Sequence, residues 1–347
     1  MWIRRLILVS VLFGWILSPL PAAAQDGAAA ALAWLRTEQL ADGGFSTGFS
    51  EGSDPGATAD AVVAIASAGE DPSTWVVEGT SPIQYLTAQA TKLETPGLAA
   101  KVVLAAVAAG EDPRDFGGAN LVDAVLAGFN SETGLFGGGP YDSGLSVLAL
   151  RAAGEALPEG ALTGLVATRL PDGSYSFAGD MTPDAGDSNT TALVVQALLA
   201  AGAGSEAAPS IDYFRLVQNA DGGWTYQKPS AFGEDTDANS TAVVIQALMA
   251  SGQDLSEWGH PERALQALQQ PSGALAFNAA TPGDNFLATV QAIPALAGAD
   301  LTDVPRLPAG FAATGGSTTP ILMATLVVLL AVLAAAGLLG RSRRAEG

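Results

Sequence analysis

The chain has 347 residues, a formal net charge of -20, a single His, 41 Gly and no Cys. That length suffices for one large core or two ordinary ones, and the missing thiols exclude disulfides and thiolate metal sites. So acidic a surface repels phosphate backbones and anionic lipid, which excludes nucleic acid as a partner.

Arg4 and Arg5 precede an apolar run from Leu6 to Leu17, and Ala22, Ala23 and Ala24 supply small residues for cleavage before Gln25. This is the pattern of a signal peptide over residues 1–24. Beyond it, Ala31, Leu32, Trp34 and Leu35 recur at helical spacing within Ala28 to Gln39, which ends in the turn Asp42-Gly43-Gly44-Phe45. A longer, more apolar helix runs from about Pro55 to Gly69, with Pro at its first position and Gly at its end.

That helix pair is the unit of a repeat. DSNTTALVVQALLAAG, Asp187 to Gly202, is rewritten with small changes as DANSTAVVIQALMASG, Asp237 to Gly252. Anchored on the closing Gly, six copies end at Gly69, Gly110, Gly154, Gly202, Gly252 and Gly298, separated by 41, 44, 48, 50 and 46 residues. The apolar residues of each copy surround the helix, so these inner helices are expected to be buried. Shorter outer helices are expected at about Pro82 to Ala90, Ala119 to Phe129, Ala161 to Arg169, Ile211 to Gln218 and Glu262 to Gln270.

The residue opening each inner run aligns as Thr58, Ala99, Ser143, Thr191, Thr241 and Leu287. Four positions earlier stand Asp54, Asp187 and Asp237, where a carboxylate caps free helix N–H groups and meets the positive end of the dipole. Neither terminal unit carries the polar face of a solenoid cap, so the six pairs are expected to close into a ring over residues 26–303.

From Leu301 the composition turns to Pro, Gly, Ala and Thr, which reads as a stalk over residues 304–320. Ile321 to Gly340 is free of charge and long enough to span a bilayer, and Arg341, Arg343 and Arg344 mark a cytoplasmic tail over 341–347. Phe311-Ala-Ala-Thr-Gly-Gly316 ahead of that run resembles a cell-wall sorting signal, with processing expected near Thr314-Gly315, although the usual leading Leu-Pro is missing. The expected place of the chain is therefore the outer face of the cell, anchored in membrane or wall by its C-terminal helix. Without these ends, residues 26–340 hold 10 basic and 34 acidic side chains.

The turns before the inner helices carry a second pattern. Gln218-Asn-Ala-Asp-Gly-Gly-Trp224 fits Q-x-x-x-G-x-W, and Gln39 to Phe45 fits it with Phe as the aromatic. Asn130 to Phe136, Arg169 to Tyr175 and Gln269 to Leu275 are looser copies, and the second unit has none. Gly supplies the turn, the aromatic packs on the next unit and the long amide bonds loose backbone groups, so the motif reads as a staple.

With six helix pairs, these turns resemble those of the α/α-toroid superfamily, which holds terpenoid cyclases, protein prenyltransferase β subunits and cobalamin carriers. The resemblance implies an all-α fold, an α6/α6 toroid. Class II cyclases protonate an alkene with the middle Asp of D-x-D-D-T-A; the matching stretch here is Asp237-Ala-Asn239-Ser-Thr-Ala242, with an amide at the donor position. Asp187-Ser-Asn189-Thr-Thr-Ala192 repeats the substitution. The zinc site that the resemblance to prenyltransferases implies needs Cys and His, and only His260 is present. Cobalamin carriers add a β-rich domain with no counterpart expected here. Toroid glycosidases place acids at the inner-helix ends; Asp54, Asp142, Asp187, Asp235, Asp237 and Asp284 are the candidates here.

The expectation is a non-catalytic, cofactor-free binding domain, with a cyclase bearing a relocated acid and a rigid spacer as alternatives. Its site is the rim where the inner helices begin, at Asp187, Asn189, Trp224, Asp235, Asp237 and Asn239, with carboxylates and amides making polar contacts and Trp224 stacking. The partner is a small molecule of isoprenoid or corrinoid type, or a surface protein or glycan.

Overall fold

A computed structural model of the protein describes residues 22–48, 51–231 and 233–304. Of the expected signal peptide over 1–24, residues 1–21 lie outside the described residues and 22–24 are helical; of the expected stalk over 304–320 only Val304 is described, and the expected membrane-spanning helix and tail lie outside. Among the described residues no helix is long and apolar enough to cross a membrane.

Among the described residues twelve α-helices alternate between two layers. The outer helices are α1 (Ala22–Thr37), α3 (Pro82–Gln89), α5 (Leu121–Leu126), α7 (Ala161–Ala167), α9 (Ala208–Val217) and α11 (Pro261–Ala267). The inner helices are α2 (Pro55–Ser67), α4 (Pro96–Ala108), α6 (Pro140–Ala152), α8 (Ser188–Ala200), α10 (Ala238–Ala250) and α12 (Phe286–Ala297). Each inner helix packs on the next, and α12 packs back on α2, so the ring is closed. Each outer helix lies on the inner helix before it, α1 on α12 included. Small side chains interspersed among Val, Leu and Ile, such as Ala61 and Ala64 of α2, let the inner helices approach closely.

The inner helices start and stop as their sequence dictates. Asp54, Asp187 and Asp237 are N-caps, accepting from the backbone N–H of Ala57, Thr190 and Ser240 at 2.8, 2.7 and 2.7 Å. At the other end Gly69, at φ +82°, donates to Ala66 O while Glu70 N–H reaches Ile65 O, the double bond that closes a helix on a left-handed residue.

The turn motif is a staple between units. Gln39 Nε2 bonds Gly43 O of its own turn at 3.0 Å and Trp75 O of the next unit at 2.8 Å; Gln218 does the same with Gly222 O and Trp258 O at 2.8 and 2.9 Å. Gln269 spans Gly273 O and Gly27 O, both at 2.8 Å, and so ties the last unit to the first. The motif aromatics Phe45, Phe136, Tyr175 and Trp224 are wholly buried. Their backbone N–H groups donate to the first-turn hydroxyls Thr58, Ser143, Thr191 and Thr241, at 2.9 to 3.0 Å. A Cβ on Gly43, at φ +85°, would meet Ser81 O of the following unit at 2.7 Å, so this turn requires glycine twice over.

Two expectations of local detail change. The sixth first-turn position is Thr289, which accepts from Leu275 N–H at 2.8 Å, and not Leu287; α12 has 12 residues where the other inner helices have 13, and Asn285 caps it. Gly298 also follows α12 directly, whereas Ala68 stands between α2 and Gly69, so counting back from the closing Gly lands two residues early. The third outer helix stops at Leu126, short of Phe129, because the turn that follows is a hairpin of β1 (Phe129–Asn130) and β2 (Leu135–Phe136), with the two Phe rings 5.0 Å apart.

Candidate functional site: the mouth and neck of the ring

The ring is not filled by alanine. At the end where the inner helices begin it opens into an outer chamber of about 540 Å³, and below that lies a smaller inner chamber of about 130 Å³. Tyr141, Asn189 and Gln291 line both and form the neck between them.

The outer chamber is walled by rings placed through the repeat. Phe177, Tyr226 and Phe277 stand two residues after the turn aromatics Tyr175, Trp224 and their sixth-unit equivalent Leu275. Their backbone carbonyls accept from the opening turn of the preceding inner helix: Phe177 O from Tyr141 N–H at 3.4 Å, Tyr226 O from Ser188 N–H and Phe277 O from Ala238 N–H, both at 2.8 Å. Each unit thus covers its neighbour's helix N-terminus and leaves an aromatic ring at the mouth. Phe177 stacks on Tyr141 with centroids 4.9 Å apart and is still 54% exposed; Tyr226, Phe277 and Leu287 are also exposed.

The covered caps are chemically distinctive. Asp237 Oδ1 accepts from Ser240 N–H and its Oδ2 from Ser240 Oγ at 2.8 Å, yet burial pushes its carboxyl up to about 6. Asp187 is likewise raised to about 6 by burial, against the lowering effect of Thr190 N–H and the nearby Tyr226 hydroxyl. Asp187 Oδ2 is buried and meets no donor at hydrogen-bonding geometry among the described residues. Burial also raises Tyr226, to about 12, with Asp187 adding to the shift.

The inner chamber is polar on both sides. On one wall Lys101 Nζ donates to Asp60 Oδ2 at 2.7 Å; desolvation opposes the ammonium charge, but Asp60 and Tyr141 beside it hold the Lys101 pKa above the usual range. On the other, Gln246 Nε2 donates to Gln291 O at 3.1 Å, while Gln291 Oε1 accepts from Nδ2 of Asn239, a residue of the outer chamber, at 3.0 Å. At the far end, Leu301 lines the chamber while its N–H is held by Gln196 Oε1 at 2.8 Å, and Val304 is buried in the helix cluster beside it. The chain after α12 therefore crosses beneath the ring and closes it.

Of the sequence-predicted residues, Asn189, Asp237 and Asn239 line the cavity and Asp187 lies just behind the mouth. Trp224 does not serve as a stacking surface: it is wholly buried, its Nε1 donates to Phe214 O at 2.9 Å, and its ring packs 6.0 Å from Trp258. Asp235 is exposed and lines neither chamber. Asp142 lies in the first turn of α6, where it accepts from Gly138 N–H at 2.7 Å, and Asp284 takes Trp34 Nε1 and Ser272 Oγ. The residues that sequence reasoning missed are Tyr141, Phe177 and Phe277 at the mouth and Lys101, Asp60, Gln246 and Gln291 below it. The aromatic-x-aromatic spacing of Tyr175-Ser-Phe177 and Trp224-Thr-Tyr226 was the available signal for the mouth. Among the described residues no group of three or more His, Cys, Asp and Glu side chains is placed to hold a metal ion.

No protein-family model and no curated protein matches the chain. Solved structures do. A protein from Actinoplanes superposes with TM-score 0.58 at 15% identity, over 79% of this chain and 99% of its own. The type II terpene cyclase MstE from Scytonema gives TM-score 0.58 at 14% identity, over 80% of this chain and 98% of the cyclase. This chain is an α/α toroid. Haptocorrin in complex with Cbi matches with TM-score 0.53 at 13% identity, over 86% of this chain and 72% of haptocorrin. At such identities the likeness is one of fold, and that fold serves unrelated chemistries.

Proposed function

We propose that this toroid is a binding domain that holds a small ligand in its central cavity and does not transform it. The observation that carries the reading is the cavity: preformed, open at one end, apolar and aromatic at the mouth, and furnished below with a few side-chain amides that orient a guest. The proposal includes export and anchoring of the domain on the outer face of the cell through the two apolar terminal stretches, with sorting near Thr314-Gly315. An isoprenoid or corrinoid body suits the aromatic mouth, in keeping with the geranylgeranyl dihydroxybenzoate bound by a MstE variant and the Cbi bound by haptocorrin.

Native mass spectrometry of the full chain, purified from its own membrane in mild detergent, tests this directly. A retained small molecule, lost on adding a bulky side chain at the neck with Asn189→Trp, is the expected result. A mass equal to the bare polypeptide, together with no stabilisation by an isoprenoid or corrinoid panel, would leave a rigid spacer or a protein and glycan partner at the rim as the better account.

One observation favours a second reading, a cyclase with a relocated acid. Asp237 lines the mouth and its carboxyl is raised to about 6, so a protonated fraction exists near neutrality. Against it, Asn239 stands at the cyclase donor position and both Asp237 oxygens are held by Ser240. Incubation with geranylgeranyl-bearing arenes decides: cyclised product that disappears in Asp237→Asn would establish the enzyme.

A further inference from the structure

Three rings of successive units, Phe177, Tyr226 and Phe277, line the outer chamber and are between 38% and 54% exposed, so a guest entering the mouth reaches them. The backbone carbonyl of each is pinned by the neighbouring inner helix, and Phe177 is further stacked on Tyr141, which makes the rings a fixed wall. An aromatic wall differs from an aliphatic one of the same area in presenting a negative π face, and that face attracts a cation.

The charge around this wall has one sign. Among the described residues no Lys, Arg or His lines the outer chamber, and its one carboxyl group is Asp237, whose pKa of about 6 leaves it mostly ionised at pH 7. The tyrosines are neutral there, since burial raises Tyr226 to about 12 and Tyr141 above its usual range. Asp180, Asp184, Glu234 and Asp235 are exposed on the loops that run from Phe177 and Tyr226 to the caps Asp187 and Asp237. The lysine among them, Lys228, is held by Asn219 Oδ1 at 2.9 Å. Below the neck Lys101 is neutralised by Asp60 at 2.7 Å. A cleft walled by one sign of charge concentrates ions of the other sign and repels its own.

The wall also decides which cation. A primary ammonium needs several acceptors to replace its water, but both Asp237 oxygens are taken by Ser240 and the rings offer no lone pairs. An alkylated ammonium carries its charge under a shell of carbon, sheds little hydration on entering an apolar chamber and meets the rings through its methyl groups. We propose that the outer chamber holds a small organic cation by an alkylated ammonium group, tertiary or quaternary, seated against Phe177, Tyr226 and Phe277. This rests on the reading of the cavity as a binding site.

Isothermal titration of the full chain at pH 7 with four para-substituted phenols tests it: 4-(trimethylammonio)phenol, its uncharged isostere 4-tert-butylphenol, 4-hydroxybenzylammonium and 4-hydroxybenzenesulfonate. The trimethylammonio probe is expected to bind about tenfold more tightly than the isostere and the primary ammonium, with the sulfonate weakest. Phe177→Leu and Phe277→Leu keep apolar bulk and remove a π face. Each is expected to cut the trimethylammonio affinity by roughly threefold and to leave that of 4-tert-butylphenol within about twofold. Phe277→Trp, which supplies a stronger π face, raises the trimethylammonio affinity by roughly twofold. Both positions are exposed, and an unchanged melting temperature checks that each variant is folded. Equal binding of the trimethylammonio and tert-butyl probes, equal binding of the two cations, tightest binding of the sulfonate, or a margin that survives both Leu substitutions overturns the aromatic seat for an alkylated ammonium while leaving the cavity a binding site. Binding by none of the four removes the binding-site reading and this inference with it.

Discussion

The two halves of the ring share one architecture and differ in what they cover. Around α8 and α10 the N-terminal caps Asp187 and Asp237 lie under the backbone of Tyr226 and Phe277, and both carboxyls are buried with pKa values raised to about 6. Across the ring Asp54 caps α2 with the same geometry but is only half-buried, Thr95 caps α4, and Gly139 precedes α6 with no side-chain cap. The inner walls divide in the same way: amides on α8, α10 and α12 face a lysine, an aspartate and a tyrosine on α2, α4 and α6. A cap in a repeat is thus a structural device by default, and it becomes a chemical feature only where the next unit shields it from water.

Seven substitutions probe that contrast. The largest effect belongs to the staple. Trp224→Ala, in a fully buried position, is expected to cost about 3–5 kcal/mol in urea unfolding, whereas Phe277→Ala at the mouth changes stability by less than about 1 kcal/mol, a smaller loss reflecting its exposure. Equal costs would show the mouth rings to be part of the core.

Next comes the ion pair. Lys101→Met strands Asp60 in the cavity and is expected to destabilise by about 2 kcal/mol, below the usual loss for a fully buried pair because both ends touch the chamber. The double variant Lys101→Met, Asp60→Leu is expected to regain most of that, and failure to do so would assign the pair a packing role.

The caps give a pH signature of opposite sign to the common one. Asp187 and Asp237 have folded pKa values of about 6, above the unfolded value near 4, so the folded state holds these protons more tightly. Their contribution is fully present below about pH 4 and is lost as pH rises to about 6. Asn also caps helices well, so each of the single variants Asp187→Asn and Asp237→Asn is expected to match the parent at pH 4 and exceed its stability by about 2 kcal/mol at pH 7. Melting curves at the two pH values check this; a gain of the same size at both would remove ionisation as its cause. Asp54→Asn, in the other half, is the comparison and is expected to change stability by less than about 0.5 kcal/mol at either pH.

The ring, its six helix pairs, the Asp caps and the Gln staples were legible in the sequence because each depends on residues close in the chain: a cap on the next three positions, a closing Gly on the turn before it, a staple on a fixed seven-residue motif. The periodicity of those local signals is what implied closure. Half of the site was legible for the same reason, since Asn189, Asp237 and Asn239 sit in the repeating turn. The stacking role expected of Trp224 reversed because the motif aromatic points between units, a direction set by the hydroxyl of Thr241 that takes its N–H. The mouth rings and the Lys101–Asp60 pair were decided by tertiary structure alone. They join residues tens of positions apart, on neighbouring or facing inner helices, and which polar groups find partners there depends on closing the ring around a cavity that no single repeat contains.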